Sequence, residues 1–513
     1  MTNVQDLYSE GFLYHQQGNL DDAEVLYKKA LELDPDNLNC VFMMANLKYQ
    51  QYRFIEAERF IKHAIQLSKN IRFYDLLSRI KIEKKEYKEA IEAAIQGLRM
   101  DADNFELNFN LALAFKNHGD YEHSLQFYKR AEKLNPDLYL VPYNMSSAYF
   151  FLGHPDKATN ELKKALTLCP NNDELKYFLA LSMFRERNYS EGLELFESRL
   201  YKKTATLSQA KMYPVSFATA REWKGEDISN KRLFLYYEAG FGDVIQYARY
   251  FPLIRELCSK LLFKPQEDLV ELFNENPLGI DTIVTYKDDN PEFDVYAPIL
   301  SLPLLLGMDE QSMFVGKEGY IKANPKKKEA FRQRFFNNDK IKIGIKWQGN
   351  TASETDRVIN IEAFEPLFKL PNTQFYSFQT GSGSEELEKI ASKYSIIDVS
   401  KEFENFSDTA AALDNLDYVI CNDTSLLHLA GALGKTSFML LPMDYNWRWH
   451  LDFDNNDWYS SVRAFKQVKN GDWSEPMQRV FNELKSLVSK NLWYNKSRGE
   501  FWQLLYTLGA LTQ

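Results

Sequence analysis

The chain has 513 residues, which on length alone suggests roughly two to four domains, and its 45% apolar content excludes a disordered protein. A formal charge of −10 argues against a nucleic-acid partner, because neutralising phosphates needs a basic face. The four cysteines, Cys40, Cys169, Cys258 and Cys421, are far apart and suggest neither a disulfide framework nor a zinc site.

The opening Met1-Thr-Asn-Val-Gln-Asp lacks a basic stretch followed by an apolar one, and no uncharged apolar run reaches the length of a membrane span. The expectation is a cytoplasmic protein with no membrane span. The aromatic share of 14% fits core filling as well as stacking surfaces, and composition does not choose between them.

From the start of the chain to about residue 200 the sequence repeats. Gly18-Asn-Leu-Asp-Asp-Ala23 leads through Tyr27 and Ala30 to Pro35, and related stretches follow at Ala57/Ile61/Ala64, Ala90/Ala94/Gly97, Ser124/Tyr128/Ala131/Pro136 and Ala158/Leu162/Ala165/Pro170. A degenerate copy runs through Gly192 and Phe196. The period is near the ~34 residues of tetratricopeptide (TPR) helix pairs. Small residues such as Ala23 and Ala30 let two helices approach closely. Tyr14, Tyr27, Phe127 and Tyr149 fill the gaps between units, and Pro35, Pro136 and Pro170 stop helices. Stacked units form an α-solenoid with a groove. That groove either captures an acceptor protein or acts as a spacer, and Pro136-Asp-Leu-Tyr139 and Asn144 are candidates to line it.

Residues 201–225 read as a connector ending at Trp223-Lys-Gly-Glu-Asp, and beyond them the period changes. Arg232–Tyr237 is a buried-strand run that meets Glu238-Ala-Gly240-Phe-Gly242-Asp243, with helical spacing from Val244 to Cys258. Further strands are expected at Lys260–Phe263, Thr282–Thr285 and Val295–Ala297. Residues 324–339, rich in lysine, read as a link. A second series follows at Ile341–Trp347, Thr373–Gln379, Ser395–Val399, Leu416–Cys421 and Thr436–Leu441. Alternating strands and helices in two groups predict two doubly wound lobes, 226–323 and 324–475, facing across a cleft. A helical segment, 476–513, would pack back on them.

Asn422-Asp423-Thr424-Ser425-Leu-Leu-His428 follows a buried strand and opens a helix. Its short oxygens are good helix caps, and the same free amides form an anion site for a pyrophosphate; spacing does not separate the two. Asp243, after Gly240 and Gly242, is either a cap or a carboxylate able to deprotonate a hydroxyl. Gly-x-Gly after a strand is a weak signal here, since the third glycine of a dinucleotide fingerprint is absent. Lys346, Gln348, Gly349, Asn350 and Arg357 follow the first strand of the second series, and Lys346 or Arg357 either sits on the surface or neutralises a diphosphate. Asp452-Phe-Asp454 has the loose pattern of metal-dependent sugar transferases, one that arises often by chance. Of seven histidines only His428 and His450 lie beyond residue 200, and no His/Glu metal spacing or nucleophile elbow is present.

Gly240-Phe-Gly-Asp243-Val-Ile-Gln and Asp423-Thr-Ser-Leu-Leu-His428-Leu-Ala-Gly-Ala together resemble the heptosyltransferase-like (family 9) glycosyltransferases of the GT-B fold. Over nearly its whole length the chain resembles bacterial TPR–glycosyltransferase fusions, including ones linked to flagellin modification. Asp408-Thr-Ala-Ala-Ala, Leu416-Asp-Tyr-Val-Ile and Asp444-Tyr-Asn-Trp447-Arg-Trp449 carry that likeness. In architecture it is similar to TPR-bearing O-linked N-acetylglucosamine transferases.

The resemblance implies an α-solenoid followed by a GT-B domain of two Rossmann-like lobes. It also implies a metal-independent transfer of sugar from a nucleotide-sugar to a hydroxyl of an acceptor protein, flagellin-like proteins included, with no cofactor. Asp243 would be the base. Thr424 and Ser425 would form the phosphate turn, with Asp423 and His428 at the donor site and Gln379 and Trp447 among its binding residues. Arg357 stands where the family often has a lysine, and Ser425 replaces a glycine usual in heptosyltransferases. The histidine base of the acetylglucosamine enzymes has no counterpart in the Gly-Phe-Gly-Asp loop. The alternatives are a non-catalytic scaffold with a degenerate transferase lobe, or a transferase acting on a lipid or glycan.

Overall fold

The computed structural model describes residues 3–201, 214–288, 291–349, 357–450 and 456–490. Two compact units divide at Ser182/Met183, earlier than the expected boundary at residue 200.

In the first unit, helices pair as hairpins. These are α1 Val4–Gln16 with α2 Leu20–Leu33, α3 Leu38–Gln50 with α4 Phe54–Leu67, α5 Ile71–Glu83 with α6 Tyr87–Leu98, α7 Phe105–His118 with α8 Tyr121–Leu134, and α9 Leu140–Phe151 with α10 Pro155–Leu168. Two more helices follow in chain order, α11 Asp173–Arg185, which spans the unit boundary, and α12 Tyr189–Phe196, which lies in the second unit. From α1 to α10 each helix packs on its neighbours in sequence. The repeat alanines Ala23, Ala30, Ala57, Ala64, Ala90, Ala94, Ala131 and Ala165 are fully buried, which permits that approach. The three prolines act one residue early. Asp34, Asn135 and Cys169, each preceding a proline, leave the helical region of the backbone, and α2, α8 and α10 end there.

Two ion networks recur one repeat apart. Glu24 meets Lys28 and Lys48, both at 2.6 Å, and Glu58 meets Lys62, Lys81 and Lys84 at 2.5–2.8 Å. Asn144, a groove candidate, accepts from Lys116 Nζ at 2.8 Å and donates to Leu140 O.

The second unit contains two separate all-parallel sheets. The first is formed by β1 Arg221–Glu222, β2 Ile228–Tyr236, β3 Cys258–Lys264, β4 Thr282–Ile283 and β5 Val295–Pro298, in the order β1-β5-β2-β3-β4. The second is formed by β6 Ile341–Lys346, β7 Thr373–Ser377, β8 Ile397–Asp398, β9 Tyr418–Asn422, β10 Ser437–Leu441 and β11 Val462–Lys466, in the order β11-β10-β9-β6-β7-β8. Strands buried on both faces read as continuous apolar runs, which is why most were visible in the sequence. In each sheet the strand order reverses at one strand, β2 in the first and β6 in the second. Such reversals open a crevice beyond the carboxyl ends of the strands.

Several expectations need correction. The helix expected from Val244 to Cys258 is broken into Phe241–Tyr247, a 3-10 turn Ala248–Tyr250 and Phe251–Arg255. Pro252, in the first turn of the last piece, has no amide to continue the earlier helix, and Cys258 already begins β3. The lysine-rich link at 324–339 is largely a helix, Pro325–Phe335, capped by Asn324 Oδ1 on the amides of Lys326 and Lys327. The connector includes the short strand β1 and the buried Trp223, whose Nε1 donates to Glu226 O; residues 202–213 of it lie outside the described residues. β11 was not anticipated.

Trp473 and, from the last described helix, 474–490, Met477, Val480, Leu484 and Val488 join the core under the second sheet with Ile341 and Ile343. Residues 491–513 lie outside the described residues.

Candidate functional site

The buried run Leu233–Tyr236 delivers the chain to a constrained turn at the end of β2. Glu238 Oε1 accepts from Arg199 Nη2 at 2.7 Å and from the Leu300 amide at 3.1 Å. The next residue, Ala239, is exposed and has φ of 63°, a left-handed conformation that costs a residue with a Cβ roughly 1 kcal/mol. Gly240 then caps the helix Phe241–Tyr247, and its amide donates to Asp243 Oδ2 at 2.9 Å. Asp243 Oδ1 is held by the Arg448 guanidinium. Asp243 is therefore both a helix cap and one half of an ion pair. Gly242 lies against the helix Ser425–Ala432: a Cβ placed on it would stand 2.7 Å from His428 Cδ2 and 3.4 Å from Ser425 Cα.

β6 delivers Lys346. Its side chain is buried, Nζ is 3.4 Å from Thr380 Oγ1, and burial pushes the amine down to about 8. Trp347 and Gln348 follow in a loop pinned by Gln379. The Gln379 Oε1 accepts from both their amides at 3.0 Å, while Nε2 donates to the carbonyls of Gln348 and Ser382. Gln379 thus spends its amide on backbone. The Gln348 side chain donates to Glu386 Oε1 at 2.7 Å, and Gly383 is packed against it. Gly349 continues this loop; Asn350 lies outside the described residues, as do Asp452 and Asp454.

β9 leads into Asp423, Thr424 and Ser425. Asp423 is buried and receives Arg357 Nη1, 3.1 Å from its carbonyl and 3.5 Å from Oδ2. Thr424 occupies the cap position of the helix Ser425–Ala432 without a side-chain capping bond. His428 is fixed by the Tyr459 hydroxyl at 3.1 Å and by stacking on Trp449 at 5.5 Å. Burial lowers it to about 4, and the nearby Asp423 only partly offsets that, so the ring is neutral at pH 7. Trp447 is buried against Phe184 at 4.7 Å and serves packing.

These elements meet around a cavity of about 300 Å³ lined by Phe241 of the glycine loop, Asp268, Lys346, Thr380, Phe406 and Ser425, among others. That volume is at the lower end of small-molecule sites. The structure brings Lys346, Ser425 and the Gly240–Asp243 loop together. It turns Gln379, Gln348 and Trp447 to structural contacts, and places Arg357 on Asp423. In the sequence Arg448 stands within the Asp444–Trp449 motif, and Thr380, Phe406 and Asp268 are not among the residues its motifs single out. For Arg448 a signal existed, a cation between two tryptophans; for the others there was none. Among the described residues no group of three or more His, Cys, Asp or Glu is placed to hold a metal ion, and no helix is long and apolar enough to cross a membrane.

Three family profiles, each described as tetratricopeptide repeat, match residues 14–80, 77–138 and 143–172. The N-terminal helix pairs are tetratricopeptide repeats. Protein FlbA of Caulobacter vibrioides is 23% identical over 435 residues, 78% of this chain and 70% of FlbA. Protein O-mannosyl-transferase TMTC1 of Homo sapiens is 26% identical over 175 residues, 33% of this chain and 20% of TMTC1. Among solved structures, MamA covers 31% of this chain at 21% identity and a TM-score of 0.30, with 93% of MamA spanned.

Proposed function

We propose that the chain is a glycosyltransferase of GT-B type, moving a sugar from a nucleotide-sugar to a hydroxyl of an acceptor protein that the repeats bind. One observation carries the reading: the loop bearing Asp243, at the reversal point of one parallel sheet, lies against the uncapped N-terminus of Ser425–Ala432 in the other, beside the buried Lys346. In the reaction the acceptor oxygen attacks the anomeric carbon and the bond from that carbon to the diphosphate oxygen breaks. The diphosphate leaves with the electron pair, and the hydroxyl proton passes to the Asp243 carboxylate. Lys346 and the free amides at Ser425 stabilise the charge that develops on the leaving group. Stacked repeats offer an extended binding surface suited to a protein segment. The partial likeness to TMTC1, a protein named as an O-mannosyl-transferase, points in the same direction.

The test is intact-mass analysis of candidate acceptor proteins co-expressed with the chain and supplied with several nucleotide-sugars. A mass gain of one sugar is expected with wild type and its loss, by a factor of about a hundred or more in rate, with Asp243→Asn. Near-normal turnover of Asp243→Asn with intact donor binding removes Asp243 from the mechanism. A second reading, a partner-binding scaffold without turnover, is favoured by the ion pair that occupies Asp243. Its signature is the absence of binding to any nucleotide in calorimetry.

A further inference from the structure

Three aromatic residues anchor the segment Asp444–His450. Tyr445, Trp447 and Trp449 are 3%, 4% and 2% exposed, and Trp449 stacks on His428 while Trp447 packs on Phe184 and Trp458. Between the two tryptophans, Arg448 reaches Asp243, a residue that belongs to the first sheet's glycine loop, while Arg448 itself follows β10 of the second. Both partners are largely enclosed, with side chains 11% and 19% exposed. The pair is tied to one place. The neighbour of Asp243, Gly242, touches Ser425 and His428, and the neighbour of Arg448, Trp449, stacks on His428.

A carboxylate gripped by a guanidinium is a poor base, because the cation favours its ionised form. Asp243 therefore cannot hold Arg448 and accept a hydroxyl proton at the same time. A guanidinium binds a phosphate group at least as well as a carboxylate, through the same planar fork of donors. Lys346 and Ser425 line a cavity that the glycine loop reaches through Phe241, two residues before Asp243.

We infer that Arg448 is an exchangeable partner: a bound diphosphate takes its guanidinium from Asp243, and the carboxylate so released becomes the base. This rests on the transferase reading. No covalent bond changes in the exchange; one ion pair replaces another. It makes the order of binding compulsory, donor before acceptor, because an acceptor arriving first finds the carboxylate occupied. It also assigns to Arg448 the leaving-group contact that Arg357, engaged with Asp423, was expected to make.

Competition gives this idea an unusual sign. Removing the charge of Asp243 should improve anion binding. Calorimetric titration of the full chain with inorganic pyrophosphate, and with uridine, guanosine and thymidine diphosphates, tests it in wild type, Asp243→Asn, Arg448→Lys and Arg448→Gln. Asparagine keeps the oxygen that accepts from Gly240, and thermal unfolding of each variant verifies the fold. The expected result is binding to Asp243→Asn about tenfold tighter than to wild type, and to Arg448→Gln about tenfold weaker, with Arg448→Lys between. Unchanged or weaker binding by Asp243→Asn overturns the inference. If a nucleoside diphosphate binds tightly but is indifferent to both positions, the inference falls and the transferase reading stands. If pyrophosphate shows the full pattern and no nucleoside diphosphate binds better than pyrophosphate, the exchange stands and the reading falls.

Discussion

Gly242→Ala asks whether the glycine loop is shaped for a ligand or for the helix behind it. Gly242 does not have positive φ, so alanine meets no backbone strain and the substitution adds one methyl group alone. That methyl would lie 2.7 Å from His428 Cδ2, about 0.7 Å inside ordinary contact distance. His428 cannot easily yield: it is 4% exposed, bonded to the Tyr459 hydroxyl and stacked on Trp449. The helices Phe241–Tyr247 and Ser425–Ala432 must then separate, at about 1–3 kcal/mol for an overpacked interface. For a unit of this size that corresponds to a fall of roughly 2–10 °C in its melting temperature. Separation also moves Asp243 from the Ser425 turn, so pyrophosphate affinity and transfer rate should fall together.

Gly240→Ala is the matched control. Its nearest contact, Asp243 Oδ2 at 3.5 Å, is ordinary, and the amide that donates to Asp243 is retained. Differential scanning calorimetry and titration of both variants decide the matter. If Gly240→Ala is as damaging as Gly242→Ala, or if Gly242→Ala melts with wild type, the packing argument is refuted.

Two pH responses follow from buried charges. In the repeats, burial opposes ionisation of Glu24 and Glu58, yet hydrogen bonds from Lys28 and Lys48 to the first, and from Lys62, Lys81 and Lys84 to the second, win and hold both at about 2. Because the folded values lie below the unfolded one, the stability they contribute is complete above about pH 5 and is lost as pH falls towards 2. It is on the order of 1–3 kcal/mol for each carboxyl. Circular dichroism during acid titration should show a higher acid midpoint for wild type than for Glu24→Gln/Glu58→Gln at equal starting stability, and coincident midpoints would contradict the assignment. At the cavity, burial brings Lys346 to about 8, so its positive charge is present below that pH and fades above it. Pyrophosphate affinity should therefore weaken as pH rises past about 8 in wild type but not in Lys346→Met, and a shared slope would place the titrating group elsewhere.

Local patterns made much of this protein legible. Alanines and tyrosines at fixed intervals define helix hairpins because each repeat must bury the same small and large side chains, and at Pro35, Pro136 and Pro170 the residue before the proline is forced out of the helical region and ends a helix. Apolar runs such as Leu233–Tyr236 and Val419–Cys421 announce strands because parallel strands are covered on both faces. Chain order also locates the turns after β2, β6 and β9. What it does not give is the company those turns keep. Gln379 looked like a ligand-binding amide, and only the fold turns it onto the backbone of Trp347 and Gln348. Arg357 looked like a diphosphate partner, and the fold sets it on Asp423. Asp243 and Arg448 are 205 positions apart, and their pairing exists because two sheets bring the ends of different strands together. Secondary structure is written in neighbours a few residues away. A charge at a cleft takes its role from whatever tertiary packing places opposite it, and no local pattern encodes that.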